Sequence, residues 1–260
     1  MLNKEKKVAV VTGGADGIGA CIARRMAKDG FSLAILDINE KKASALVDEI
    51  IGNGGDARAF YCDVSNDKDV EAAFDAIMDT FGRIDVLANN AGLGGYLNWM
   101  DMSMESFQKL FAVNCDAVFL CVRRAAKEMI EAGIKGKIII TLSQAAFTQD
   151  EVIVTPYCIT KWTARGFMRS AAEALRPYGI TVNGVCPGTV WTPMMDGFCE
   201  EYLSTGAGTK EDYIKFIESK YPTGRMQTGE DIAAMYSFLV KYGHNINGQA
   251  LLVAGGIAFD

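Results

Sequence analysis

Short apolar runs, rich in β-branched residues, alternate along this chain with longer segments in which apolar positions recur at helical spacing. The apolar runs predict strands at 7–12, 32–36, 58–62, 86–89, 137–142, 181–186 and 250–253. Helices are predicted near 17–29, 39–52, 67–81, 103–132, 156–177 and 229–241. Strands that are apolar throughout and separated by helices indicate a parallel sheet with helices on both faces. With right-handed crossovers, the pattern predicts an α/β protein with a Rossmann-like doubly wound sheet of about seven strands.

This alternation continues without a repeat, a low-complexity tract or a linker, so residues 1–260 are expected to form a single domain. The segment 192–221 differs, because it is rich in polar and aromatic residues and has little strand signal. We interpret it as a partly helical excursion over the site at the carboxyl ends of the strands, and therefore as a candidate substrate lid.

Composition restricts the class of partner. Half of the 260 residues are apolar and the formal net charge is -6. An acidic chain lacks the basic face that nucleic acid or an anionic membrane would attract. No apolar run approaches the roughly 20 residues that span a bilayer, and residues 1–7 resemble neither a signal peptide nor an anchor. We therefore expect a cytoplasmic protein with neither a nucleic-acid nor a membrane partner.

Few residues are suited to metal binding or histidine chemistry. The chain has a single histidine, His244, and seven cysteines without a CxxC pair. A zinc site is disfavoured, and a Ser-His-Asp hydrolase would have to use a histidine in a polar stretch before the last strand. We expect no metal, and cysteines that act as small buried hydrophobes. Proton chemistry then falls to Tyr, Lys, Asp or Glu.

A glycine-rich turn joins the first strand to the first helix. Residues 12–19 are TGGADGIG, and glycines there let the backbone approach a pyrophosphate at the helix N-terminus. A tight connection without a ligand is the alternative, but the placement between strand and helix favours a dinucleotide. The candidate cofactor residues of this turn are Gly13, Asp16, Gly17, Ile18 and Gly19.

Asp37 ends the second strand, 18 residues beyond Gly19. A carboxylate there accepts hydrogen bonds from the adenosine ribose and repels a 2′-phosphate. Asp16 adds a second negative charge, and the turn itself has no basic residue. Both carboxylates favour NAD(H) over NADP(H). A helix cap is the alternative role for Asp37, although Asn39 could fill it.

Tyr157 and Lys161 lie four residues apart on a predicted helix and so share one face. An ammonium beside a phenol favours the phenolate, and lowering the phenol pKa by about 3 units takes roughly 4 kcal/mol. The same spacing also arises by chance, with a core tyrosine and a solvated lysine. The rest of the chain must decide between the two.

The motifs, taken in order, resemble the short-chain dehydrogenase/reductase family over nearly the whole chain. They are the turn 12–19, Asp63 with Val64, Asn-Asn-Ala-Gly at 89–92, Asn114, Ser143, Tyr157 with Lys161, and Pro-Gly-x-x-x-Thr at 187–192. The resemblance implies an NAD-dependent oxidoreductase that interconverts a secondary alcohol and a ketone, and a homotetramer. It places Asp63 and Val64 at the adenine, and Asn90 beside the cofactor. Pro187, Val190 and Thr192 would receive the nicotinamide carboxamide.

The implied catalytic residues are Asn114, Ser143, Tyr157 and Lys161. Tyr157 would exchange the proton, Lys161 would lower the pKa of Tyr157 and bind the nicotinamide ribose, and Ser143 would hold the substrate oxygen. Asn114 would hold a water that links Lys161 to solvent. The alternatives to these roles are a serine capping the fifth strand and an asparagine interrupting a helix.

Segments 139–145, 180–188 and 255–260 resemble the acetoin reductase/2,3-butanediol dehydrogenase branch, and parts also resemble NAD-dependent polyol dehydrogenases. A small diol or hydroxyketone is therefore the predicted substrate, and segment 147–155 departs from that branch. The predicted substrate contacts are Ser143, Gln144, Phe147, Tyr157 and Trp191. Further pocket candidates are Gly94, Gly95, Tyr96, Met194 and Phe198.

Several other functions stay open. A hydroxysteroid dehydrogenase is the main alternative, followed by a 3-ketoacyl-thioester reductase and a non-catalytic NAD-binding sensor. A sugar-nucleotide epimerase shares the Tyr-Lys chemistry, but such chains usually carry a further C-terminal domain. No arginine adjoins the site motifs, which disfavours a phosphorylated substrate, although Lys210 and Lys215 in the lid segment keep it open.

Overall fold

The computed structural model describes residues 6–94, 100, 102–148, 155–204, 206 and 208–258, without the side chains of 155, 194, 198, 201 and 202. Across these ranges seven parallel strands form one sheet in the order β3-β2-β1-β4-β5-β6-β7. The strands are β1 Val8–Thr12, β2 Ser32–Asp37, β3 Asp56–Tyr61, β4 Val86–Asn89, β5 Lys137–Thr141, β6 Thr181–Pro187 and β7 Ala250–Val253. The predicted doubly wound α/β fold is confirmed.

Helices cover both faces of the sheet. They are α1 Gly17–Lys28, α2 Glu40–Gly52, α3 Asp67–Phe81, α4 Met104–Phe111, α5 Ala117–Glu131, α6 Thr155–Leu175, α7 Pro193–Ser204, α8 Lys210–Ser219 and α9 Gly229–Lys241. The lid segment contains α7 and α8. The N-termini of α8 and α9 are fixed by capping boxes, in which Thr209 pairs with Asp212 and Thr228 with Asp231.

The sheet separates two apolar cores, because successive side chains of a strand point to opposite faces. In β1, Val8 and Val10 pack into the core under α3, α5 and α6. Ala9 and Val11 pack into the core under α1, α2 and α9. Burying each valine side chain contributes about 1.5–3 kcal/mol. This two-sided burial explains why the strands are apolar at every position.

The strand boundaries agree with the sequence prediction to within one residue, except for the start of the third strand, and the long central helix also differs. The third strand begins at Asp56 rather than Arg58, since Ser32 Oγ donates a hydrogen bond to Asp56 Oδ2 over 2.8 Å and extends the pairing of β2 with β3. The long helix predicted for 103–132 is interrupted by a π-helical turn, Ala112–Asp116, between α4 and α5. Such π turns are frequent at functional sites, and this one carries Asn114.

Within the part of the chain that the structure describes, no helix is both long and apolar enough to cross a membrane. The same residues contain no group of three or more His, Cys, Asp and Glu side chains placed to hold a metal ion. Six of the seven cysteines are buried and Cys21 is partly buried, which confirms their packing role.

Candidate active site

The candidate site lies where the order of the strands reverses, between β1 and β4. The connections that follow these two strands run in opposite directions. The crevice that they leave at the carboxyl ends of the strands can receive a dinucleotide. The glycine-rich turn follows β1, and Asn90 follows β4. The ends of β5 and β6 bring Ser143 and Pro187 to the same edge of the sheet.

Tyr157, Lys161 and Ser143 are brought together as the sequence predicts. Helix α6 carries Tyr157 and Lys161 one turn apart, with the Lys161 Nζ atom 5.5 Å from the centroid of the Tyr157 ring. The Ser143 hydroxyl lies near the Tyr157 phenol and acts to lower its pKa. Ser143 also accepts a 3.2 Å hydrogen bond from the Ala145 N–H, which orients its hydroxyl at the end of β5. A ketone oxygen can therefore meet two O–H groups at this point.

The pKa of Tyr157 differs from the sequence expectation. Burial raises the pKa of Tyr157 to about 12, and the Ser143 hydroxyl offsets part of that rise. Burial also lowers the pKa of Lys161 to about 8. The net shift is upward because desolvation dominates the buried phenol, and the lowering of this pKa by Lys161 stays a prediction. Tyr157 is a proton donor at neutral pH.

Thr141, which the sequence analysis missed, connects Lys161 to the cofactor end of the site. Lys161 Nζ donates a 3.0 Å hydrogen bond to the Thr141 carbonyl. The Thr141 hydroxyl donates to Asn90 Oδ1 over 3.0 Å and lies 2.6 Å from the buried Tyr236 hydroxyl. Only its position next to the end of a predicted strand could have drawn attention to it.

Asn114 lies in the π turn and its side chain is 1% exposed. Its Nδ2 donates to the Leu93 carbonyl over 2.9 Å and to Thr160 Oγ1 over 3.0 Å. Its Oδ1 accepts a 2.8 Å hydrogen bond from the Leu93 N–H. The side chain thus ties the loop after β4 to α6. The water-holding role implied by the resemblance stays a prediction.

Gly92 keeps the floor of the site open. A Cβ atom there would lie 3.3 Å from Asn114 Oδ1 and 3.6 Å from Lys161 Nζ. These distances place Asn114 and Lys161 around the same space. A side chain at this position would press against both polar atoms.

The glycine-rich turn fits a pyrophosphate. A Cβ at Gly13 would lie 2.9 Å from Ala91 Cα, and one at Gly19 only 2.0 Å from the Gly13 carbonyl oxygen. Gly17 has a φ of 52°, and its Cβ would lie 3.3 Å from Thr192 Cγ2. The turn therefore has a side-chain-free surface at the N-terminus of α1, next to Thr192, where anions bind well.

Asn90 supports this turn with its side chain. Its Nδ2 donates to the carbonyls of Thr12 and Gly13 over 3.2 and 3.1 Å. Its Oδ1 accepts from Thr141. Both amide atoms are used within the protein, so the side chain positions the turn. Any direct contact with a cofactor would fall to the Asn90 backbone.

Asp37 lies at the end of β2, beside the glycine-rich turn. Its Oδ2 accepts a 3.0 Å hydrogen bond from the Ala15 N–H, and its Oδ1 accepts a 2.9 Å bond from the Asn39 N–H. Asn39 caps α2, as predicted, by accepting a hydrogen bond from the Lys42 N–H. The cap is therefore not the role of Asp37, and its contact with an adenosine ribose stays a prediction.

The negative charge of Asp16 is compensated by a neighbouring lysine, which the sequence does not suggest. It caps α1 by accepting a 2.7 Å hydrogen bond from the Gly17 N–H, and it forms an ion pair with Lys42 at 2.5 Å. The Lys42 hydrogen bond and charge hold the pKa of Asp16 below its usual value. The turn has no basic residue in sequence, but α2 supplies one in space.

The adenine candidates follow β3. Asp63 Oδ1 accepts hydrogen bonds from the Ser65 N–H over 2.9 Å and from Ser65 Oγ over 2.6 Å. Val64 is buried. The carboxylate of Asp63 thus fixes the turn into α3 and keeps its other oxygen for a ligand donor.

The segment 187–192 is held to the lid and to the chain end. The Gly188 N–H donates to the Val253 carbonyl over 3.1 Å, and Val190 forms a β-bridge with Gln227. The buried Tyr221 hydroxyl accepts from the Thr189 N–H and donates to Thr189 Oγ1, each over 2.7 Å. Tyr221, at the end of the lid segment, is a second residue that sequence reasoning missed.

The pocket side of Ser143 contains Gln144 and Phe147. Gln144 Oε1 is buried and has no hydrogen-bond partner within the described residues. The Arg165 guanidinium lies 3.8 Å from the centroid of the Phe147 ring, and its Nη1 donates to the Ala146 carbonyl over 3.1 Å. The expectation that no arginine adjoins the site is therefore wrong. Arg165 is two turns beyond Tyr157 on one face of α6, a spacing that the motifs do not include.

Trp191 is fixed by the lid. Its Nε1 donates to Asp196 Oδ1 over 3.1 Å, and Lys210 Nζ lies 4.4 Å from the centroid of its ring. Lys210 also pairs with Asp196 at 3.7 Å. Of the two lysines that kept a phosphorylated substrate open, Lys210 is thus engaged with Asp196 and Trp191. The pocket candidates Gly95 and Tyr96, and the side chains of Met194 and Phe198, lie outside the described residues.

Comparison with known proteins agrees with this geometry. A family model described as short chain dehydrogenase matches residues 7–202. The chain is 34% identical over 257 residues to the L-2,3-butanediol dehydrogenase of Corynebacterium glutamicum, covering 98% of this chain and 99% of that protein. It is 36% identical over 255 residues to a diacetyl reductase, (S)-acetoin forming, of Staphylococcus epidermidis, with 97% and 99% covered.

A variant of the actinorhodin polyketide ketoreductase, solved with NADPH, superposes with a TM-score of 0.94 at 32% identity over 100% of both chains. The family match and the relatives together show an oxidoreductase that acts on CH–OH groups. On these grounds the chain belongs to the short-chain dehydrogenase family.

Proposed function

We propose that this protein is an NAD(H)-dependent oxidoreductase that interconverts a small vicinal diol and its hydroxyketone, with 2,3-butanediol and acetoin as the first candidates. The observation that carries the proposal is that Tyr157 lies between the Ser143 hydroxyl and the buried Lys161, whose Nζ is 5.5 Å from the centroid of the Tyr157 ring. A nicotinamide, when bound, supplies the hydride transfer. Every proton step then falls to the side chains of this chain.

In reduction, Tyr157 donates its proton to the oxygen of the ketone as negative charge develops there. The Ser143 hydroxyl donates a second hydrogen bond to the same oxygen and stabilises that charge. Because the pKa of Tyr157 is raised to about 12, the phenol is protonated when the ketone arrives. In oxidation the same two groups act in reverse, with Tyr157 as the base.

Lys161 supplies the positive charge next to the phenolate that forms. Its pKa of about 8 leaves most of the amine protonated at pH 7. The Thr141 carbonyl holds this ammonium and leaves its other N–H groups for the cofactor ribose. Lys161 therefore acts on the proton transfer through its charge and its position.

Gln144 supports a substrate with two adjacent oxygens. Its buried Oε1 has no hydrogen-bond partner in the described structure, and an unpaired buried acceptor costs about 1–3 kcal/mol. A second hydroxyl on the substrate, next to the reacting carbon, would donate to this oxygen. The names of the two relatives refer to such compounds, butanediol and acetoin.

NAD(H) rather than NADP(H) is favoured by Asp37, whose carboxylate is held by the Ala15 and Asn39 N–H groups beside the glycine-rich turn. Asp63 and Val64 would contact the adenine, and Pro187, Val190 and Thr192 the carboxamide. Segment 192–221, with α7 and α8, would close over the substrate.

We propose a homotetramer, because two separate faces expose aromatic side chains. On α5 and α6 the exposed fractions are 49% for Phe119 and 45% for Trp162. At the end of α9 they are 43% for Phe238 and 71% for Tyr242. Two such faces allow dihedral assembly. Light scattering coupled to gel filtration measures the mass, and a monomer would contradict the tetramer. The cytoplasmic location stays a prediction.

The test is an absorbance assay at the NADH band with acetoin, diacetyl, 2,3-butanediol, hexitols and hydroxysteroids. We expect the highest kcat/KM with the four-carbon compounds. Activity confined to steroids would favour the hydroxysteroid alternative, and activity only on acyl thioesters would favour the reductase alternative. Tyr157→Phe should abolish turnover while NADH still binds, as followed by its fluorescence. Substantial turnover by that variant would remove Tyr157 from the proton step.

A further inference from the structure

Three charged side chains lie together at the adenosine end of the site. Asp37 ends β2, Asp16 begins α1, and Lys42 is in the first turn of α2. Lys42 Nζ is 2.5 Å from Asp16 Oδ2, and the charge of Asp37 also helps raise the pKa of Lys42. A cation therefore lies at the end of the site where, under the proposed function, the 2′-phosphate of NADP(H) must be rejected.

The two carboxylates are engaged differently. Asp37 is held by the backbone N–H groups of Ala15 and Asn39, and these leave its charge in place. Asp16 is paired with an ammonium, which compensates its charge. Rejection of a 2′-phosphate then depends mainly on Asp37, and Asp16 contributes little as long as Lys42 is paired with it.

We infer that Lys42 is a cofactor-selectivity residue. Its cation suits the 2′-phosphate monoester of NADP(H), but its ion pair with Asp16 keeps it from binding that phosphate. The inference rests on the proposed NAD(H) function. An exposed lysine has a flexible stem of four carbons, and its compact charge suits a phosphate. The side chains of Lys42 and Asp16 are 54% and 48% exposed, so the ammonium can turn toward a ligand without unpacking the core.

The chain offers a substitution that releases Lys42 without damaging α1. Asp16 caps α1 through Oδ1, which accepts from the Gly17 N–H, while Lys42 is bound through Oδ2. Asp16→Asn keeps a capping oxygen and removes the charge. The freed ammonium can then pair with a 2′-phosphate, and we expect affinity for NADPH to rise about tenfold relative to NADH.

The exposed neighbour Lys41 provides the matched control, since it has the same charge one residue away on α2. The experiment measures Kd for NADH and for NADPH by fluorescence titration, without any substrate. Its variants are Asp16→Asn alone and combined with either Lys42→Met or Lys41→Met. The ratio of the NADPH Kd to the NADH Kd should fall about tenfold in Asp16→Asn. The ratio should return to that of the unchanged chain when Lys42→Met is added to Asp16→Asn. It should stay low when Lys41→Met is added instead.

Lys42→Met in the otherwise unchanged chain is a second variant that leaves both caps intact. It should raise the same ratio, because Asp16 then repels the phosphate without compensation. If Lys42→Met and Lys41→Met change the ratio equally in both backgrounds, only general charge is involved and the inference is wrong. Tighter binding of NADPH than NADH by the unchanged chain would instead overturn the NAD(H) proposal. The comparison of the two lysines still decides the inference in that case.

Discussion

Arg165 is a buried cation that the motifs do not include, and its removal gives the sharpest test of how the substrate side of the site is held. The guanidinium lies over the Phe147 ring and donates to the Ala146 carbonyl. Both contacts belong to the turn that begins at Ser143 and carries Gln144. We expect Arg165→Met to loosen this turn while leaving Tyr157, two helical turns away, in place.

A lower bound on the magnitude follows from these two contacts, since the guanidinium also lies 5.8 Å from the centroid of the Trp162 ring. A desolvated cation–π contact is worth about 2 kcal/mol, and leaving the buried Ala146 carbonyl unpaired costs about 1–3 kcal/mol. Relief of the desolvation of the guanidinium offsets part of this loss, and a methionine side chain fills much of the volume. The free energy of unfolding should fall by about 2–4 kcal/mol.

The assay is urea unfolding, with Arg169→Met as the control because Arg169 is exposed one turn further along α6. That control should change the free energy of unfolding by less than about 0.5 kcal/mol. In kinetics, Arg165→Met should raise KM for the ketone more than it lowers kcat, and Arg165→Lys should recover part of the KM. Equal urea midpoints for the two methionine variants would refute the reasoning, as would a loss confined to kcat.

Three further predictions address the proton step, the second substrate oxygen and the support of the turn. Reduction should slow as the pH rises through about 8, because Lys161 then loses the charge that stabilises the Tyr157 phenolate. A rate of reduction that stays constant up to pH 10 would contradict this role. Gln144→Leu should raise KM for acetoin about tenfold but KM for 2-butanone much less, without lowering the urea midpoint; equal changes for both ketones would remove Gln144 from the second oxygen. Thr141→Val should lower the free energy of unfolding by about 1–3 kcal/mol because it leaves the buried Tyr236 hydroxyl unpaired. Adding Tyr236→Phe should restore part of that loss in the same urea assay, and no recovery would mean that the hydroxyl pair is not what Thr141 stabilises.

The fold could be predicted because each strand is buried on both faces. Core positions such as Val10 and Val11 differ in direction but not in polarity, so the apolar runs marked every strand to within two residues. Regular spacing likewise placed Tyr157 and Lys161 on one face. The π turn at Asn114 could not be predicted, since its extra residue changes the hydrogen-bond pattern of a helix without breaking its apolar periodicity.

Contacts between elements that are distant in sequence were beyond sequence reasoning. Lys42 reaches Asp16 from another helix, Tyr236 reaches Thr141 from α9, and Arg165 reaches Phe147 from α6. Each has ordinary neighbours in the chain, and each acquires its role only from packing. The pKa of Tyr157 belongs to the same class, because the desolvation that raises it depends on how much protein surrounds the phenol.

The connections of Thr141 explain how the two halves of the site keep one geometry. Its carbonyl accepts a hydrogen bond from Lys161, to which the proposed function gives a part in the proton step, and its hydroxyl donates to Asn90. Asn90 in turn holds the carbonyls of Thr12 and Gly13, which shape the turn for the pyrophosphate. A shift of the glycine-rich turn would therefore move the acceptor of Lys161 as well. Because a hydride transfer tolerates little displacement between its partners, a single strand end that fixes both halves limits that displacement.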